Sequence, residues 1–321
     1  MWLIIAVTAY FINAGVYLAD KFLLSKRIHS SVVYAFYVGI WSVFNLTLLV
    51  FAPWIPSLGE LLLDLSGGLL FLFTLVFWYK ALHQSEATRV VPIVGGLVPV
   101  FSYLLSSIFL GQVLTNQELL AFLILIAGGV LISIKRTKFY MVHKIINRVM
   151  EIFGDTLGEV HAQYRPTRRI ITNSIVSAFF FAAFYVLMKY IYLHQPFVGG
   201  FVWSRMGTFI GAMAMLAVPA WRKGIFEYQQ AATKPKNLSF FIGVRLFAAL
   251  AFIMLNWAIS LGNVALVNAL QGVQYLFFIL FAVIISARFP KIFKEEMGKE
   301  VLIQKLIGVG LVSVGLYILV I

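Results

Sequence analysis

Arg205 has the clearest chemical potential in the sequence. It lies about eight residues into an apolar stretch, roughly 12 Å deep at a helical rise. A guanidinium that far into hydrocarbon costs several kcal/mol unless it meets water, a partner or a ligand. It reads either as a cationic anchor for a carboxylate or phosphate, or as a structural group bonded to a carbonyl or acid or snorkelling outward. Asp64, in another apolar stretch, is a candidate counter-charge or proton site, against the plainer reading of a locally bonded interfacial acid. Asn268, Gln271 and Gln274 recur at steps of three and, with Tyr275, draw a polar stripe along an otherwise apolar segment. Such a stripe lines a wet cavity or bonds to neighbouring helices. Arg89, Arg245 and Lys189 sit near segment ends, where they act as gates or as ordinary membrane-end anchors. Asn13, Tyr17, Trp78, Tyr79, Tyr185, Asn256 and Trp257 complete a candidate binding wall of aromatic and amide groups.

Catalysis and metal binding find less support. His29, His83, His143, His161 and His194 fall in loops or at segment ends, without the His-Glu-x-x-His spacing of a metal site. There is no cysteine, so thiolate ligands, cysteine nucleophiles and disulfides are excluded. An intramembrane enzyme is therefore disfavoured, a non-transporting scaffold or receptor is favoured by nothing in the sequence, and no cofactor is expected.

The elements that position these residues follow from composition. The 321 residues are 62% hydrophobic and 12% charged, about half the charged share of a soluble domain. A soluble surface cannot be built from so few polar residues, whereas a lipid-facing one can. Segments of roughly 20 apolar residues, the length that crosses a bilayer, fall near 2–20, 31–52, 61–82, 89–110, 118–135, 170–191, 198–220, 239–261, 264–287 and 302–321. The expectation is an all-α integral membrane protein of about ten transmembrane helices, its first helix retained rather than cleaved.

Of the 25 basic residues, all but Lys189 and Arg205 fall in or beside the odd-numbered loops. By the positive-inside bias those loops are cytoplasmic and both termini lie outside the cell (inner) membrane. That bias accounts for the net charge of +13 without a nucleic-acid partner. The one long connection, 136–169, carries Val142, Ile145, Ile146, Val149, Met150 and Phe153 at helical spacing between cations, which predicts an amphipathic helix on the cytoplasmic leaflet.

The flanking halves, 1–135 and 170–321, correspond. Tyr17 pairs with Tyr185, Lys21 with Lys189, Gly39 with Gly207, Ala81 with Ala258, Gly95 with Gly272, Phe101 with Phe278 and Gly129 with Gly315, in unbroken order. Because each half holds an odd number of spans, the second enters the membrane inverted. Two inverted five-helix repeats give a carrier two nearly equivalent states, with a substrate site where they meet.

The stretches Tyr79-Lys80-Ala81-Leu82, Ala87 to Pro92, Gly95, Pro99-Val100-Phe101, Leu110-Gly111-Gln112 and Gly128 to Ile132 resemble an EamA domain, the five-helix repeat of the drug/metabolite transporter superfamily. Asn256-Trp257-Ala258, Gly272, Gly308 and Gly315 resemble a second copy. The resemblance implies a central cavity lined by the third, fourth, eighth and ninth spans, with the fifth and tenth peripheral. It also implies transport of amino acids, nucleotide sugars, sugar phosphates, amines or lipid-linked sugars. The sequence departs from it at Gln112, where a Glu is usual, and in the charge-based placing of the termini. The first span has no mid-depth acid, which disfavours proton-coupled export of lipophilic cations. The expected function is alternating-access transport of a small anionic or zwitterionic metabolite. The alternative is flipping of an amphipathic or lipid-linked substrate.

Overall fold

The computed structural model describes residues 1–24, 31–84, 87–133, 168–231, 238–288 and 299–321. Their regular structure is helical throughout. In chain order the helices are α1 (Trp2–Leu24), α2 (Ser31–Trp41) running into a 3-10 helix (Ser42–Val50), α3 (Leu58–Gln84), α4 (Ala87–Leu110), α5 (Asn116–Ser133), α6 (Arg168–His194), α7 (Phe197–Met215), α8 (Pro219–Ala231), α9 (Leu238–Leu261), α10 (Val264–Ala269), α11 (Gln271–Arg288) and α12 (Lys299–Val320). The amphipathic segment expected at 136–169 lies outside the described residues, apart from Arg168 and Arg169, which open α6.

Six described helices are long and apolar enough to cross a bilayer: α3, α4, α5, α6, α9 and α12. The chain is a multi-pass membrane protein. Three shorter apolar helical stretches, Trp2–Val16, Ala35–Val50 and Val264–Phe278, accompany them among the described residues. The span expected at 198–220 is α7, which ends at Met215, and α8 follows it at a bend of 97°. Pro219 lacks an N–H to continue α7, so it can only open a new helix. The turn before it tightens to i→i−3 bonds, from Leu216 N to Met213 O (3.1 Å) and from Val218 N to Met215 O (3.2 Å). In α8, Ile225 is buried while Trp221, Arg222, Lys223 and Phe226 are exposed, the two-faced pattern of an interfacial helix.

Helix starts are set by side-chain caps. Ser57 and Glu60 form a capping box on α3, with Ser57 N donating to Glu60 Oε2 (2.7 Å) and Glu60 N to Ser57 Oγ (3.4 Å). Thr115 and Glu118 repeat it on α5. Asn263 Oδ1 accepts from Ala265 N and Leu266 N at the start of α10.

The packing interlocks the two halves. α1 lies against α9 and α11, while α6 lies against α3 and α4. α5 and α12 meet through glycines: a Cβ on Gly128 would stand 2.9 Å from Gly308 O, and one on Gly308 would stand 3.1 Å from Gly128 O. Gly129 and Gly272 bring α5 and α11 equally close. With no hydrophobic force between helices in lipid, this close approach is how they gain contact.

Candidate functional site

The most constrained contact is where α3 crosses α7. A Cβ on Gly68 would run into Ser204 O and Thr208 N, and one on Gly207 into Leu65 O. Only hydrogens fit between these backbones, and Thr208 Oγ1 donates to Gly68 O across the gap (3.1 Å). One turn from this crossing, α3 presents Phe71 and α7 presents Arg205. The glycine contact holds the guanidinium carbon 4.2 Å from the Phe71 ring centroid.

Three more rings close the enclosure around Arg205: Phe252 of α9 at 4.9 Å, Phe184 of α6 at 5.6 Å and Phe201, one turn earlier on α7, at 5.8 Å. The rings also pack on one another, with centroids 4.8 Å apart for Phe71–Phe184 and 5.2 Å for Phe71–Phe252. Arg205 is 4% exposed. Its Nε and Nη2 are buried and have no hydrogen-bond partner. Ring faces attract the cation but accept no conventional N–H bond. The guanidinium is thus held by quadrupoles on its faces, while the Nε–Nη2 edge, the fork that grips a carboxylate with two parallel bonds, is unspent.

Amide and phenol groups brace this enclosure. Tyr192 donates to Asn256 Oδ1 (3.0 Å), and Asn256 Nδ2 donates to Phe252 O one turn back (2.9 Å). Asn256 is therefore bonded at both its oxygen and its nitrogen and is fixed to the Phe252 backbone. Tyr185 is buried, its ring 5.2 Å from Phe184. Trp78 meets Phe181 edge-on at 6.0 Å. Tyr79 is half-buried against the core, and Asn13 is half-buried on α1. Trp257 turns away from Asn256 and is 43% exposed, so it belongs to the outer surface of α9 and not to the wall expected for it. The side chains of Tyr17 and Arg89 lie outside what the structure describes.

Asp64 does not pair with Arg205. It is fully buried, and its Oδ1 accepts from Gln195 Nε2 (3.0 Å). Lys189 is buried and its Nζ donates to Ser260 O (2.8 Å); a cation on the last carbonyls of α9 is a helix cap. Arg245 is half-buried on α9.

The polar stripe of the ninth span divides where that span breaks, at Leu270 between α10 and α11. Asn268 is buried and donates to Ser102 Oγ of α4 (2.8 Å). Gln271 Nε2 donates to the Tyr275 hydroxyl (3.2 Å), which occupies the space over Gly95: a Cβ there would lie 2.6 Å from that oxygen. Gln274 is buried. Tyr10 of α1 donates to Val267 O (2.9 Å), and Gln112 Oε1 accepts from Val264 N (3.4 Å). These bonds pin α10 between α1 and α4, so much of the stripe is interhelical bonding. Among the described residues no group of three His, Cys, Asp or Glu could hold a metal. His194 is exposed on α6 and packed at a tilt against Tyr190; the side chains of His29, His83, His143 and His161 are outside the described set.

Residues 1–134 match the EamA-like transporter family. That match covers the helices from α1 to α5 and is consistent with membership of the drug/metabolite transporter superfamily. No curated protein matches the chain. One solved structure, a crystal structure of a protein, is similar with a TM-score of 0.62 at 14% identity, over 98% of this chain and 97% of that one. At such identity the likeness concerns the fold alone, but it extends through the second half as well as the EamA-like domain.

Sequence reasoning singled out Arg205, Asp64, Asn256 and Asn268, all of which are buried. It missed Phe71, Phe184, Phe201 and Phe252, as well as Tyr10, Ser102, Tyr192 and Gln195. With 30 Phe in the chain, only Phe201, at i−4 from Arg205, carried a local signal.

Proposed function

We propose that this EamA-like protein is an alternating-access transporter of a small organic anion or zwitterion, such as an amino acid, an organic acid or a phosphorylated compound. The observation that carries the reading is the unspent edge of Arg205. It lies half-way along α7, walled by aromatic rings from four helices. A buried cation with open donors is costly for folding alone, and it becomes favourable when a carboxylate or phosphate arrives. The aromatic walls suit a substrate with an apolar body behind its charged head.

Two inverted five-helix repeats fit the packing. The six long spans, the bent α7–α8 pair and the three shorter apolar stretches occupy the ten segments expected from sequence. The first helix of each half docks on the third and fourth spans of the other, as a two-fold axis in the membrane plane requires.

Protein reconstituted in liposomes and offered labelled amino acids, organic acids and sugar phosphates should accumulate at least one with saturation. Arg205→Ala should abolish that uptake and Arg205→Lys weaken it, because an ammonium cannot reproduce the fork. Wild-type uptake by Arg205→Ala would end the assignment.

A further inference from the structure

Asp64 takes no part in the anion site, yet it is a carboxyl group with no exposed surface inside the α3 span. We propose that Asp64 and Gln195 form a proton-binding site, a neutral carboxylic acid paired with a carboxamide, that ties α3 to the turn between α6 and α7. The atoms argue for it. Gln195 Nε2 donates to Asp64 Oδ1 at 3.0 Å, which is one half of the two-bond ring that an acid and an amide form. The atoms of the other half, Asp64 Oδ2 and Gln195 Oε1, are both buried acceptors without a donor. One proton on Oδ2 turns that oxygen into a donor and gives Oε1 its bond, so a single added hydrogen settles both orphans. An ionised Asp64 would leave both unbonded in a dry environment.

The charged and titratable groups around Asp64 leave its charge uncompensated. On α3 itself, Glu60 sits one turn nearer the helix start, is tied to Ser57, and is of like sign. On α6, Lys189 is spent on Ser260 O, Tyr192 donates to Asn256, Tyr185 packs on Phe184, and His194 is exposed and packed against Tyr190. Arg205 of α7 lies among its rings beside Phe71, two turns further along α3. Tyr37 is the described titratable group on α2. Among the described residues no hydrogen-bond donor reaches Oδ2.

Gln195 directly follows the last residue of α6 and precedes Pro196 and the helix that carries Arg205. The acid–amide ring closes only with the proton present. Loss of that proton to water sets two acceptors against each other and leaves the α6–α7 turn tied to α3 by the Gln195 Nε2–Asp64 Oδ1 bond alone. Under the transport reading above, proton occupancy would bias the position of that turn, but the site itself does not depend on that reading.

Infrared difference spectra of the full chain in lipid nanodiscs, acid minus alkaline buffer, test it. The expected result is the carbonyl band of a protonated carboxylic acid that shifts when aspartate is carboxyl-13C labelled. The label marks Asp20, Asp64 and Asp155, and Asp64→Asn should remove the shifting band. Gln195→Leu should move it toward the frequency of an unbonded acid. Asp64→Asn preserves both complementary bonds, so its thermal stability should stay flat where wild type loses stability as pH rises. A band insensitive to the label, or the same pH dependence in wild type and Asp64→Asn, overturns the proposal. Since the label is read in wild type, a variant that fails to fold does not block the test, and a negative spectrum leaves the Arg205 uptake result standing separately.

Discussion

Replacing Arg205 by Met separates a poised binding group from a structural one, because the two roles predict opposite signs. The buried Nε and Nη2 lack acceptors, and each unsatisfied donor costs about 1–3 kcal/mol. The neighbouring rings return about 0.5–2 kcal/mol of cation–π attraction. Methionine nearly matches the reach of the arginine stem, packs against aromatic rings and carries no charge. The expected outcome of Arg205→Met is a protein more stable by about 1–4 kcal/mol, the range seen when buried charges give way to well-packed apolar groups, with a melting temperature raised by several degrees. Intrinsic-fluorescence melting of the purified protein in detergent reads this directly, Trp203 lying two residues away on α7. The same scan with a transported anion at about 100 times its Kd should stabilise wild type by about 2.7 kcal/mol and leave the variant unmoved. A variant that melts lower than wild type would show that the guanidinium holds the bundle together, and the anchor reading would lose its basis.

Gly207→Ala should destabilise by about 1–3 kcal/mol, the cost of overpacking, since its Cβ would meet the Leu65 backbone, which cannot rotate away. Gly243→Ala on α9, with nothing within 4 Å, should be neutral or slightly stabilising in the same melting assay. For the α10–α4 bond, a double-mutant cycle of Asn268→Leu and Ser102→Ala should give a coupling of about 0.6 kcal/mol, and no more than about 1.7, as for interhelical bonds within membranes. A coupling near zero would show that this bond contributes nothing to holding α10.

What the sequence reveals is what is local or periodic. Apolar length located the spans, and Pro53, Pro56, Pro196 and the Ser260–Asn263 turn marked true ends. Gly128 and Gly129 stood out in the EamA-like motif and prove to be contact points for α12 and α11. Pro219 lies inside the span expected at 198–220, whereas α7 ends four residues before it and the chain bends by 97° into α8. The break at Leu270 has no proline or glycine at the break itself and was invisible. The environment of Arg205 was also out of reach, since three of its four rings come from α3, α6 and α9. Depth announced a costly charge, and only the tertiary contacts tell that nothing offsets it by hydrogen bonding.

One stripe of α3 carries both Asp64 and the Phe71 ring that faces Arg205. Asp64, Gly68, Phe71, Leu75 and Trp78 follow the four-three spacing that keeps residues on one helix face, and all but Trp78 are buried there. Gly68 occupies the centre of the stripe and admits no slack against α7. A tilt of α7 that opened a path to Arg205 therefore cannot occur by sliding at that crossing. It must pivot about it, which swings the end of α7 joined to Gln195 as well as the far end. Opening at the guanidinium and strain on the Asp64–Gln195 pair are then two ends of one lever. That geometry predicts that enlarging the pivot, as in Gly207→Ala, disturbs both sites together, whereas Asp64→Asn alters only one.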